Sequence, residues 1–180
     1  MNKYAIAVLV SVFIAAPALA DNTGRYYVAG DIGTATYHNL PFPSSSVVRI
    51  AGGYHFNPVL AAEMGISFFG DSTAYVGTAY DPVTITLSSF QVAVVANVPL
   101  SRQFDLIGKM GVASNGEDWA DSLGTLTYYH SDLLFGFGAQ FHVNSQTSLR
   151  LLYDNYGKFD STNLPVKASS VSLGLVYDFY

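Results

Sequence analysis

The stretch VSLGLVYDFY, residues 171–180, alternates without a break. Val171, Leu173, Leu175, Tyr177 and Phe179 fall on one side. Ser172, Gly174, Val176, Asp178 and Tyr180 fall on the other. A period of two is the signature of a β-strand, whose successive side chains point to opposite faces. Nothing follows this strand to cover its apolar face. In a closed barrel the last strand pairs with the first, which leaves no open edge, and lipid covers the face.

The same period recurs upstream. Apolar positions run from Tyr26 to Ile32, Val48 to Phe56, Leu60 to Phe68, Phe90 to Val98, Leu106 to Val112, Leu133 to Phe141 and Leu149 to Tyr153. With the terminal stretch, that predicts eight strands, and no apolar-face position carries a charge. Ile85 and Leu87 lie out of phase with Phe90, which predicts a β-bulge near Ser88-Ser89. Long polar connections fall at 38–46, 70–82, 114–128 and 157–168. Short ones fall at Asn57-Pro58, 99–103 and 144–146. Long alternating with short is the connection pattern of a transmembrane barrel, and aromatics near the stripe ends fit interfacial girdles.

Only 12% of the residues are charged, against about 25% in average soluble domains. No stretch after residue 20 is apolar for long enough to form a membrane helix. Residues 1–20 read as a cleaved signal peptide: Lys3, an apolar run to Ala16, Pro17, then the small-residue site Ala18-Leu19-Ala20. Cleavage after Ala20 makes Asp21 the first mature residue, and residues 21–180 form one barrel domain. Losing Lys3 takes the net charge from −5 to −6. There is no basic patch, so no nucleic-acid partner is expected. With Cys 0, neither a disulfide framework nor lipoprotein anchoring is expected.

Period two alone does not say which face is inside, because a soluble lipocalin-like barrel also alternates. Composition decides. A soluble barrel needs a charged exterior, whereas the second face here offers about one charge per strand among glycines and small residues. Arg49, Lys109 and Arg150 oppose Asp31, Glu63, Asp154 and Asp178. Near-balanced charge on one face predicts a paired interior network, since isolated buried charges are too costly. The interior of an eight-stranded barrel is just wide enough for side chains to fill it, so a filled lumen is expected.

The terminal stretch resembles the carboxy-terminal targeting strand of bacterial outer-membrane barrels through Ser172, Gly174, Tyr177 and Phe179. Tyr180 follows where that signal usually stops on its final aromatic. SLRLLYDNYGKF (148–159), GRYYVAGDIG (24–33) and YHFNPVLAAEMG (54–65) resemble the OmpA-like transmembrane domain. The resemblance spans the mature chain. It implies an eight-stranded antiparallel up-and-down barrel in the outer membrane, with outer-membrane lipid and the barrel-assembly machinery as partners. Gly174, Tyr177 and Phe179 carry the assembly signal. The peptidoglycan-binding domain that follows the barrel in OmpA is not expected here.

Chemistry is sparse. The four histidines, His38, His55, His130 and His142, show no metal-ligand spacing. His130-Ser131-Asp132 has the residue types of a hydrolytic triad, but neighbours on a strand face opposite ways. Some barrels of this size modify lipid A with a His and a Ser two residues apart on a late strand. Leu151-Leu152-Tyr153-Asp154-Asn155 has neither. Gly70-Asp71-Ser72 reads as a turn, and Trp119 as an aromatic of the third long loop. No catalytic residue, cofactor or metal is therefore expected. The expected function is structural or loop-mediated interaction at the cell surface. The alternatives are a soluble periplasmic ligand-binding barrel and a lipid A-modifying enzyme.

Overall fold

The computed structural model describes residues 24–38, 43–74, 83–121, 124–159 and 166–179. The signal segment, its Ala20/Asp21 junction and Tyr180 lie outside these. The described chain is all β: β1 (Arg25–His38), β2 (Ser45–His55), β3 (Leu60–Phe69), β4 (Ser72–Ala74), β5 (Val83–Pro99), β6 (Phe104–Asp121), β7 (Gly124–His142), β8 (Thr147–Phe159) and β9 (Val166–Asp178). Each pairs antiparallel with its neighbour. β9 returns to β1, from Tyr27↔Asp178 to His38↔Lys167, and β3 pairs with β5. β3 and β4 both lie against β5 and are two pieces of one stave, so eight staves close into an up-and-down barrel. The terminal strand has no open edge.

Two of the three short turns are built by asparagine. Asn57 Oδ1 accepts the amides of Val59 and Leu60, both at 2.9 Å. Asn144 Oδ1 accepts those of Gln146 and Thr147 at 2.9 and 2.7 Å. A side chain that takes amides two and three residues on mimics a backbone turn. These turns and both ends of the barrel chain share one rim, the turn end; the long connections share the other, the loop end.

The apolar stripe is outside. Phe137 is 62% exposed and Val94 55%, while Arg49 is 2% and Asp154 0% exposed. This is the reverse of a soluble ligand-binding barrel. Aromatics gather at the turn end: Tyr26 packs on Tyr54, Tyr54 on Phe56, Phe104 on Phe141 and Tyr177 on Phe179, with ring centroids 4.9–6.3 Å apart.

Three expectations need correction. No bulge interrupts β5. Its ladder with β6 runs unbroken from Thr84↔Ala120 to Pro99↔Asp105. The irregularity is in the opposite stave, where pairing goes from Phe68↔Ser88 to Ser72↔Ile85 and so gains one residue at Gly70-Asp71. Ile85 and Leu87 are in phase with inward Ser89 and Gln91, and both are buried. They broke the expected pattern because the lumen itself turns apolar towards the loop end. Second, 114–121 is not loop: β6 continues through Trp119, whose backbone pairs with Ile85 and Leu126. Third, β8 carries a bulge that the sequence reading lacked. Its register with β9 slips between Asn155 and Lys158, around Gly157 at φ +73°. That left-handed conformation favours glycine. The extra residue turns Phe159 into the lumen, where it is fully buried, and Lys158 out.

Candidate functional site

The lumen is layered. Nearest the turn end lies a small cluster with Tyr27, Ala29, Ala51, Ala61, Val95 and Ile107. Nearest the loop end lies a larger plug with Tyr37, Phe69, Ile85, Leu87, Leu134, Tyr156 and Phe159. In the plug, Phe69 meets Tyr156 and Phe159 edge-on at 5.1 and 5.8 Å. Between the two clusters lies a belt of charge.

Six side chains from five strands make the belt: Asp31 on β1, Arg49 on β2, Glu63 on β3, Lys109 on β6, and Arg150 and Asp154 on β8. All are buried. Arg150 clasps Asp31 with two bonds, Nε to Oδ1 at 2.8 Å and Nη2 to Oδ2 at 2.7 Å, and gives Nη1 to Glu63 Oε2 at 2.9 Å. Arg49 donates Nε to Asp31 and Nη1 to Glu63, both at 3.0 Å. Lys109 Nζ lies 3.2 Å from Glu63 and donates to Gln91 Oε1 at 3.1 Å. Asp154 is held by charge alone, 3.6 Å from Arg49 and 3.6 Å from Lys109. Three cations face three carboxylates, so the belt is neutral as a unit. Bidentate guanidinium–carboxylate geometry is the form in which buried charge is best repaid.

Glycines make the room. A Cβ on Gly174 would stand 2.0 Å from Asp31 Oδ1, and one on Gly136 would stand 2.4 Å from Asp154 Oδ1. Gly174 is thus required by the carboxylate opposite. Asp178 stands apart from the belt. It pairs with His55 at 3.3 Å at the turn end, where a vestibule of about 740 Å³ opens. Three members of the polar interior were not singled out from sequence. Tyr27 donates to Glu63 at 3.0 Å, Gln91 Nε2 donates to Ser67 at 2.7 Å, and Asn115 donates across the lumen to the carbonyls of Tyr156 and Lys158 at 2.8 and 3.0 Å. For Tyr27 and Gln91 the signal was position, each being a polar residue on the inward phase of its strand, whereas Asn115 lies in the stretch read as loop and had none.

Two contacts test for catalysis. His142 Nδ1 lies 2.8 Å from Ser148 Oγ and its Nε2 2.9 Å from Asp105 Oδ2. The order of contacts is that of a triad, but Ser148 is 1% exposed. On the outer face, His38 Nε2 meets Ser169 Oγ at 3.2 Å. Among the described residues no carboxylate orients that imidazole. In His130-Ser131-Asp132 the carboxylate is taken up by backbone: Asp132 accepts the amides of Leu133 and Lys158. Among the described residues, no group of three or more His, Asp or Glu is placed to hold a metal ion.

Known proteins set this geometry in context. Ail, the attachment invasion locus protein of Yersinia pestis, solved in complex with the heparin analogue sucrose octasulfate, shares 15% identity. The match covers 88% of this chain and 100% of Ail, with a TM-score of 0.60. Neisserial surface protein A shares 17% identity over 86% of this chain and 97% of its own, with a TM-score of 0.63. The outer membrane protein OprG of Pseudomonas aeruginosa shares 12% over 89% and 98%, also at 0.63. At these identities the likeness is one of fold. No curated protein matches by sequence. The profile of one family, described as the outer membrane protein beta-barrel domain, matches residues 5–179. Lipid-facing stripes, a charged lumen and closed antiparallel staves thus belong to a chain of the outer-membrane protein β-barrel domain family.

Proposed function

We propose that this outer-membrane barrel is non-enzymatic and sealed, a rigid support whose loop end is its interaction surface. The observation that carries this reading is the neutral belt spanning the lumen beneath an apolar plug. The belt ties five strands together across the lumen with paired charge, and in the plug above it the buried polar side chains are bonded to one another, as Ser89 to Asn115 and Gln91 to Ser67. Ail, which is similar in fold, is described in complex with a heparin analogue, a precedent for a barrel of this kind that takes a ligand. We further assign assembly recognition to Gly174, Tyr177 and Phe179. Tyr177 and Phe179 stack edge-on at 5.1 Å and present one aromatic ridge near the periplasmic rim. Export through the 1–20 signal segment belongs to the same proposal.

The test is conductance. Folded protein in a planar bilayer should pass no unitary current, while Arg150→Ala with Phe159→Ala should leak. Steady channel steps from the unaltered protein would overturn the sealed reading. Expression in a host with defined lipid A should leave lipid A mass unchanged, and a new lipid A species would overturn the non-enzymatic one.

A further inference from the structure

We infer that the outer rim of the β1–β9–β8 face carries a binding site for a phosphate group of an outer-leaflet lipid, formed by Lys158, Lys167 and His38. These three residues stand side by side across adjacent strands: Lys158↔Lys167 on β8 and β9, and Lys167↔His38 on β9 and β1. All three are exposed. Directly opposed positions put Cβ atoms ~5 Å apart, and like charges there repel. Such a row is unfavourable unless an anion bridges it.

The protein keeps this arrangement actively. Without the bulge at Gly157, Lys158 would point into the lumen. Four backbone groups at the bulge have dedicated side-chain partners. Asn155 Oδ1 accepts the Gly157 amide at 3.0 Å and Asp132 Oδ2 accepts the Lys158 amide at 2.9 Å. Asn115 binds the flanking carbonyls of Tyr156 and Lys158. Asp132, the acid on the neighbouring strand, therefore spends its carboxylate on backbone amides. Among the described residues, neither lysine ammonium forms a salt bridge within 4.0 Å. His38 is steadied by Ser169 at 3.2 Å.

Height identifies the occupant. Outward positions on β9 run Tyr177, Leu175, Leu173, Val171, and end at Lys167. Ten residues at ~3.3 Å each, on a strand tilted ~40°, climb ~25 Å. That is the height of the apolar band itself. With Tyr177 in the periplasmic girdle, the two ammonium groups reach the level of the outer-leaflet headgroups. A phosphate there meets the two ammonium groups beside the His38 ring, and among the described residues the acid on the adjoining strand, Asp132, is turned onto the amides of Leu133 and Lys158. The inference rests on the lipid-facing placement of the stripe.

The test uses the full mature barrel in detergent, with retained lipid read by native mass spectrometry. The probes are bisphosphorylated lipid A, dephosphorylated lipid A and soluble sucrose octasulfate. Bisphosphorylated lipid A should be retained and the dephosphorylated form lost. Lys158→Gln or Lys167→Gln should weaken retention about fivefold, and the pair together about thirtyfold. Both sites are exposed, and a preserved mobility shift on boiling will show that each variant is folded. Equal retention of the two lipid A forms, or an unaffected double variant, overturns the site. Lysine-dependent binding of octasulfate without lipid A binding overturns the lipid as its source. The wild-type comparison of the two lipids decides even if a variant fails to fold. Failure of the stripe's placement would show separately, as a mid-stripe arginine that costs nothing.

Discussion

Replacing Arg150 with methionine keeps an unbranched, flexible stem, shortens the side chain and removes its charge. The loss is three hydrogen bonds, at 2.8, 2.7 and 2.9 Å, from a group 4% exposed. The belt then holds three carboxylates against two cations, with Asp31 left only its bond to Arg49 at 3.0 Å. Breaking a buried pair from one side costs ~3–5 kcal/mol, most of it the desolvated charge left behind. Lys109→Met leaves the same net charge but removes a looser group, 3.2 Å from Glu63 and 3.6 Å from Asp154. Its cost should fall below that of Arg150→Met, at ~2–3 kcal/mol. Arg150→Met/Asp31→Asn restores balance at two against two and should recover at least ~1 kcal/mol relative to the sum of the single changes. The assay is equilibrium unfolding in urea from lipid vesicles, with gel mobility of unboiled samples as the readout of the closed barrel. An Arg150→Met cost below ~1 kcal/mol, or strict additivity in the double variant, would refute the belt as a coupled unit.

Three further outcomes follow from the same geometry. Gly174→Ala puts a Cβ 2.0 Å from Asp31 Oδ1, whose carboxylate Arg150 holds from two sides. It should destabilise the barrel by ~1–3 kcal/mol, read as a lower urea midpoint. Gly157→Ala places an L side chain at φ +73°, 2.6 Å from Asp132 Cγ. It should cost ~1–2 kcal/mol from the backbone alone and open the β7–β8 edge to added protease at the loop end. Val94→Arg or Phe137→Arg, at mid-stripe positions 55% and 62% exposed, should weaken insertion by ~2–4 kcal/mol, measured as the folded fraction in vesicles.

Strand number, facing and the neutral lumen were legible because each follows from period two and from the cost of an unpaired charge. Asp31, Arg49 and Glu63 could be grouped from the sequence because each sits on the inward phase of its strand. Their partners could not, since pairing depends on register. Asp178 shows the limit: it shares the inward phase but lies at the turn end, beyond reach of the belt. Ile85 and Leu87 misled for another reason. An apolar residue on the inward phase signals a slipped strand only if the lumen is polar throughout, and here Ile85 and Leu87 belong to an apolar cluster towards the loop end. The bulge at Gly157 had a usable sign in Asn155-Tyr156-Gly157, an isolated glycine within a strand preceded by an asparagine able to cap its amide. The long β6–β7 hairpin had none, because its polar composition is that of a loop.

The span of the belt along the chain bears on how the barrel is made. Arg150 and Asp31 are separated by 119 residues, and Arg150 and Glu63 by 87. Contacts of such high sequence separation form late, after the entropy of bringing the segments together has been met. A half-curled sheet would hold Asp31, Arg49 and Glu63 without Arg150 or Lys109, and its exposed carboxylates would resist leaving water. Lys109 arrives with β6, and Asp31 gains its two-bonded partner Arg150 only when β8 comes up beside the returning β9. The charges that stiffen the finished protein thus act during assembly as a checkpoint, making entry into the bilayer and ring closure a single cooperative event.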